Sequence, residues 1–505
     1  MTKWVIAIMV LLLGAFTAIG QEDVVGDQPE TNAVGGLPFA AEIDVTVVNV
    51  NVYVTDKKGF AITDLTADDF VLTQDGTAKA ISNFGLFNGE VYRSFFRGEQ
   101  PPTGMPTPTP IPGTEALSKE SFRPVYVVLY FDNDNSRALD RNRLITQMRS
   151  FIRENLHPPV QMMVISYQKS YEVLQPFTSD PREVYDALRE IKTMTGGRSE
   201  LDNHRKDILR QINETQQNSQ RGSSQRDVNA MSRGHGMVVG FAEEEANSLQ
   251  FTLGALRDTV TMLSGLPGKK VILYVSNGLP MVAGLDLFYA YSHAFNDSSS
   301  ITESARYNMS RQFTSLVSNA NAQDISFYTF GVGGLENPTI ASAELGTRQD
   351  TMSASMGMQN YLDSLRFISD GTGGTATINT NDFTEGLERV SQDFFTYYSL
   401  GYSLQQSGLD KVHRIKVELP DHPEYRVRYR RRFVEKSLES RIQDKVVTGL
   451  MFPLDDNPMQ IMVEMGSQGP AGETQWMVPF KLSFPVRKVA LLPMDEDYVG
   501  NVTLF

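Results

Sequence analysis

At 505 residues the chain is too long for one ordinary core, so roughly two to four domains are expected. A formal net charge of −14 argues against a nucleic-acid binder, while 41% hydrophobic and 21% charged residues are the proportions of a folded protein. The absence of cysteine excludes disulfides, thiolate zinc sites, iron–sulfur clusters and cysteine nucleophiles, and the six histidines are scattered with no helical ligand spacing.

Lys3, the apolar stretch from Trp4 to Phe16, and the small residues Ala18 and Gly20 read as a signal peptide over residues 1–20. That stretch is short for a membrane span, which needs about 20 apolar residues. A secreted or periplasmic protein is therefore expected, with no stable span once the signal is cleaved. Residues 21–42 are polar, rich in Gly, Asp and Pro, and are expected to form a disordered leader.

From residue 43 to 90 the pattern predicts a small β module: Val48, Val50, Val52 and Val54 alternate with Asn49, Asn51 and Tyr53, and turns follow at Asp56–Gly59 and Gln74–Thr77. Residues 91–122 contain the run Pro106-Thr107-Pro108-Thr109-Pro110 and read as an extended linker. Between 123 and 397, apolar strands at 125–131, 161–166, 271–276, 325–331 and 375–378 alternate with helical periods, which predicts a doubly wound, mostly parallel α/β sheet. Asp180-Pro181-Arg182-Glu183 and Asp382-Phe383-Thr384-Glu385 mark two helix starts. The polar segment 199–248 interrupts the rhythm, with a helical leader around Ile208 and Ile212, and is expected to be an insertion, a mobile hairpin or loop on the rim of the sheet. Alternation returns over 398–435, as strands that pack with the amino-terminal module, and 436–505 reads as a further β region that stops inside a strand pattern, as a truncated one would.

The candidate site is Asp132-Asn133-Asp134-Asn135-Ser136, at the end of the apolar run 125–131. A carboxylate, a second oxygen two residues on and a hydroxyl two residues further can offer up to three oxygen ligands to a hard cation such as Mg²⁺ or Mn²⁺ from one loop. The loop falls at the carboxyl end of a strand, where open α/β sheets place ligands. Read as a catalytic pair, Asp132 and Asp134 would need a shaped pocket and one raised pKa, and ligation explains the spacing better. The chain has no Gly-x-Ser-x-Gly elbow, no phosphate-binding Gly-x-x-x-x-Gly-Lys loop and no His-Glu-x-x-His helix, so no enzyme is expected. The arginines at 426, 428 and 430–432 read as the solvent face of a strand.

Three blocks together resemble the von Willebrand factor A-related domain proteins of Acidobacteria: Val52–Gly59 with Leu65–Phe70; the strand ending in Asp132 with Gly268–Gly278; and Thr372–Thr375 with Tyr397–Tyr402 and His413–Val417. The resemblance implies a Rossmann-like fold, von Willebrand A-like, flanked by small β-sandwich-like modules. It also implies a metal-ion-dependent adhesion site, normally Asp-x-Ser-x-Ser, a Thr in a second loop and an Asp in a third. In this chain Asp132, Asp134 and Ser136 occupy the first loop, Arg198 stands at the Thr position after Gly196-Gly197, and Asn277 replaces the Asp. Ser199 is the adjacent substitute, and Arg198 is a cation able to neutralise the carboxylates as an internal ion pair. The family reading is a non-enzymatic, adhesion-type protein that binds a protein or extracellular-matrix-like ligand through a degenerate site. The alternative is a metal-free scaffold in an envelope assembly.

Overall fold

The computed structural model describes residues 45–89, 124–219, 225–335, 351–405, 410–452, 457, 459–470, 475–485, 492–494 and 497–499. The expected signal peptide (1–20), leader (21–42), linker (91–122) and chain end lie outside the described residues.

Four strands open the described chain: β1 (Val45–Thr55), β2 (Val71–Gln74), β3 (Thr77–Lys79) and β4 (Asn83–Phe87). The α/β region begins with β5 (Val125–Asp132), α1 (Ala138–Asn155), β6 (Val160–Gln168), β7 (Ser170–Thr178) and α2 (Pro181–Thr193). It continues with α3 (Arg198–Ser219), α4 (Gln225–Met262), β8 (Lys269–Ser276), α5 (Leu285–Phe295), α6 (Ser298–Ser304) and α7 (Ser310–Ala322). β9 (Ile325–Gly331), α8 (Thr351–Gly371), β10 (Ala376–Thr377) and α9 (Thr384–Phe395) complete it.

These strands form one six-stranded sheet in the order β10-β9-β8-β5-β6-β7, parallel except at β7. The chain moves outward from β5 to β6 and later returns to β8 on the other side of β5, so the strand order reverses between β5 and β8. Burial of β5 on both faces explains its unbroken apolar run. Val125, Val127, Leu129 and Phe131 pack with Leu144, Met148 and Ile152 of α1 and with residues of α2 and α9. Val128 and Tyr130 face Leu253 and Leu256 of α4, with α7 and α8 beside them. This is the doubly wound α/β architecture expected from the sequence.

β7 was missed by the periodicity. It is a polar, antiparallel edge strand containing Pro176, and its register with β6 shifts between Met162 and Ile165; edges and bulges are where a strand tolerates proline. The segment 199–248 has the helical leader expected around Ile208 and Ile212 but otherwise differs from expectation. Its described residues are helical, in α3 and α4, the latter 38 residues and about 57 Å long. Ile208, Leu209 and Ile212 pack against Val238, Phe241 and Ala242 and against Leu287 and Phe288 of α5. In α4 the apolar residues Val238, Phe241 and Ala242 are set within a polar stretch, and only the leader around Ile208 and Ile212 carries a visible helical spacing.

After α9 come β11 (Tyr397–Gln405), β12 (Lys411–Glu418), β13 (Arg426–Tyr429) and β14 (Arg432–Glu435). They interleave with the first four strands in two antiparallel sheets, β13-β1-β11-β4 and β14-β12-β2-β3. Val50, Val52, Leu72, Tyr398, Leu400, Tyr402, Ile415 and Val417 fill the core they share. Residues 436 onward were expected to be β. The segment instead opens with α10 (Leu438–Met451), capped by Ser437, and only then gives short hairpins such as Met462–Met465 paired with Phe480–Ser483.

The opposite face of β1 and β11 meets the α/β sheet. Lys269 Nζ, at the start of β8, lies 4.8 Å from the Tyr53 ring and 4.6 Å from the Tyr397 ring and donates to the Asp393 carbonyl. Burial pushes its pKa down to about 7, against the opposing pull of Asp393 and Asp324. Arg428 Nη2 donates to both oxygens of Asp393 at 2.9 Å, and Arg430 pairs with Asp324 at 2.9 Å. These two arginines therefore face an internal junction rather than solvent, which corrects the sequence reading for them.

Candidate metal centre

The three loops anticipated from the sequence converge at the carboxyl end of the sheet, beside the reversal between β5 and β8. Asn133 N donates to the Tyr167 carbonyl at the end of β6, Gly197 N to the Asn133 carbonyl, and Asn277 N to the Asn135 carbonyl, each at 2.8 Å. Gly196 and Gly197 permit this approach: a Cβ at Gly196 would lie 2.2 Å from the Ser136 carbonyl oxygen, and one at Gly197 would lie 2.8 Å from that of Asp134.

Asp132, the last residue of β5, is wholly buried. Its Oδ1 accepts from Asn135 N at 3.0 Å and Asn135 Nδ2 at 3.2 Å, and its Oδ2 from Asn135 Nδ2 at 3.0 Å and the Tyr274 hydroxyl at 2.5 Å. Burial pushes its pKa up to about 6, with a further push from Asp134, and the Tyr274 and Asn135 hydrogen bonds restrain the rise. Asp134 is half-buried, and burial raises its pKa too; its Oδ2 accepts from Lys169 N at 2.7 Å. Ser136 is buried, and its Oγ has no hydrogen-bond partner among the described residues. Asn277 accepts from Arg137 N and donates to Asp140 Oδ2, both at 3.1 Å.

The second loop departs from expectation. The carboxylate paired with Arg198 is that of Asp202, one turn on in α3, at 3.0 Å, and the guanidinium also lies 4.0 Å from the Tyr361 ring centre. Arg137 takes the other Asp202 oxygen at 2.6 Å. Burial works to raise the Asp202 pKa, but Arg198 and Arg137 outweigh it and hold the carboxyl below its ordinary value. Ser199 is exposed on α3. The ion pair foreseen between Arg198 and the Asp132–Asp134 carboxylates is thus replaced by an Arg137–Asp202–Arg198 cluster, because α3 begins at Arg198 and its next turn supplies a nearer acid.

A hard cation needs several oxygens free to point at it. Here both Asp132 oxygens accept from protein donors, Asn277 is committed at both ends of its amide, and one Asp134 oxygen faces a backbone N–H. Among the described residues, no group of three or more acidic or histidine side chains is arranged to hold a metal. In this arrangement Ser136 Oγ and one Asp134 oxygen are the side-chain ligand oxygens of the first loop left without a protein donor among the described residues, fewer than the several that a hard cation takes from a complete site. Sequence reasoning missed Asn135, Tyr274 and Asp202. Asn135 occupies a spacer position of the motif, and Tyr274 reads as one more residue of an apolar strand.

No family model matches this sequence, and no curated protein matches it. Among solved structures the chain is similar to the von Willebrand factor domain of the type V pili tip protein Mfa5 from Porphyromonas gingivalis, at 12% identity and TM-score 0.27, covering 54% of this chain and 94% of that one. BatB from Bacteroides thetaiotaomicron gives 12% identity and TM-score 0.25, over 53% and 96%. The PilB minor pilin of Streptococcus sanguinis gives 11% and 0.26, over 54% and 62%. At these TM-scores the likenesses carry no functional argument, and the architecture is defined by the strand order described above. No helix among the described residues is long and apolar enough to cross a membrane.

Proposed function

We propose that this is an exported, non-enzymatic binding protein of the von Willebrand A-related kind found in Acidobacteria, and that its α/β domain docks a protein or matrix partner without a resident cation. The observation that supports the metal-free reading is the saturation of Asp132. With both oxygens accepting hydrogen bonds from Asn135 and Tyr274, the carboxylate ties β5, its own loop and β8 together. Export rests on the amino-terminal pattern of Lys3 and the apolar stretch 4–16. Partner binding rests on the resemblance of the sequence blocks.

A second reading, cation-dependent adhesion through Asp132, Asp134 and Ser136, is favoured by one observation, the unpartnered Ser136 Oγ. Thermal melts with Mg²⁺, with Mn²⁺ and with chelator separate the two. A ligand that binds only the folded state adds about 2.7 kcal/mol at a hundredfold excess over Kd. The metal-free reading expects superimposable melts and a lower midpoint for Asp132→Ala in every buffer. A cation-dependent rise that disappears in Asp132→Ala would overturn it.

A further inference from the structure

We infer that the cleft between the Phe60 loop of the β module and helices α1 and α9 is a binding site for a neutral saccharide. The cleft encloses about 730 Å³, within the range of about 300–1,000 Å³ that holds small molecules. Its floor is apolar, from Phe151 and Leu387, both buried. Its walls carry Glu154 from α1 and Glu388 and Gln392 from α9, and the ring of Phe60 stands 67% exposed at its lip.

The chemistry of the lining narrows the ligand. None of the described residues lining the cleft is basic, so phosphates, carboxylates and other anions have no counter-charge there. Carboxylates only accept hydrogen bonds, and a glutamine amide both donates and accepts; hydroxyl groups on a ring satisfy both, while the ring's C–H faces suit Phe60 and the floor. A ring of hydroxyl groups can donate to both carboxylates, which a cation would engage by charge alone. Glu154 lies 3.6 Å from Arg153 in an exposed pair, and Arg389, which borders the Phe60 loop at Gly59, pairs with Glu385 outside the lining. One polar pair in the lining is preset: the Ser391 hydroxyl donates to Asn155 Oδ1 at 2.5 Å, and Asn155 Nδ2 donates to the Phe151 carbonyl at 2.8 Å.

This inference does not depend on how Asp132 is read, and its test uses no metal. Saturation-transfer NMR of the full chain with cellotetraose, maltotetraose and chitotriose should show transfer to at least one of them. Phe60→Ala, a change at an exposed side chain, should weaken that binding by about fivefold at an unchanged melting midpoint. Glu388→Gln should weaken it as well. No transfer to any of the three overturns the inference, as does binding that both variants leave unchanged. Salt-sensitive binding of a hexalysine peptide in place of the sugars would overturn the neutral class and make the cleft a cation site.

Discussion

Arg428 and Asp393 join the two halves of the molecule. The guanidinium belongs to β13 of the β-sandwich and the carboxylate to α9 of the α/β domain, and the Tyr328 hydroxyl completes the contact by donating to Asp393 Oδ2 at 2.8 Å. Both charges are largely out of water, with 19% and 4% of their side chains exposed. Removing one partner of such a pair strands the other, at a cost of about 3–5 kcal/mol when burial is complete. Arg428→Met should therefore lower stability by about 3 kcal/mol in denaturant melts, and Arg428→Met with Asp393→Leu should recover much of that loss. Equal loss in the single and double variants would mean that the pair contributes little.

The sequence showed why the sheet forms more readily than what joins its parts. The run at 125–131 and the alternation at Val48–Val54 carry their own burial periodicity, so those strands were legible. Arg428 and Arg430 were read as a solvent face because nothing local reveals that Asp393 and Asp324 will meet them. The loop contacts at the candidate centre were legible as far as Gly196-Gly197, whose missing side chains admit the neighbouring loop. Tyr274 was not: it reaches Asp132 across 142 residues of chain, and only register between β5 and β8 brings it there.

The raised Asp132 carboxyl makes stability depend on pH in a stated direction. Its pKa is about 6 in the folded protein, against an ordinary 3.8. Between those values the folded state holds the proton and the unfolded state releases it, so this group's contribution falls as pH rises through the window. The full effect is on the order of 3 kcal/mol, present as a cost above pH 6 and absent below pH 4. Asp132→Asn keeps the shape and cannot titrate. Melts at a series of pH values should show a shallower slope between pH 4 and 6 in the variant than in wild type; an identical slope would assign the titration elsewhere.

Gly197 sets the spacing of the first two loops. An added methyl group would sit 2.8 Å from the Asp134 carbonyl oxygen and 3.0 Å from its Cα, both backbone atoms. Gly197→Ala should destabilise by about 1–3 kcal/mol, the usual cost of overpacking. Hydrogen exchange should locate the loosening at the Gly197 N–H, which bonds the Asn133 carbonyl. Full protection of that amide in the variant would show that the loops yield without separating.

The β-sandwich is woven from two distant stretches of chain. Val45–Val52 of β1 pairs with Tyr398–Gln405 of β11, and Val71–Gln74 with Ile415–Glu418. During synthesis the amino-terminal strands emerge first, with hydrogen-bonding edges that nothing can yet occupy, and the whole six-stranded sheet is made before their partners appear. The sandwich can thus close only after the whole α/β sheet has been made, and until then its early strands are open to other chains or to a holding chaperone. The same weaving acts as a clasp afterwards. A single protease cut in a surface loop of the α/β domain leaves two fragments still held together by β1 and β11, so backbone integrity and assembly become separate properties of this molecule.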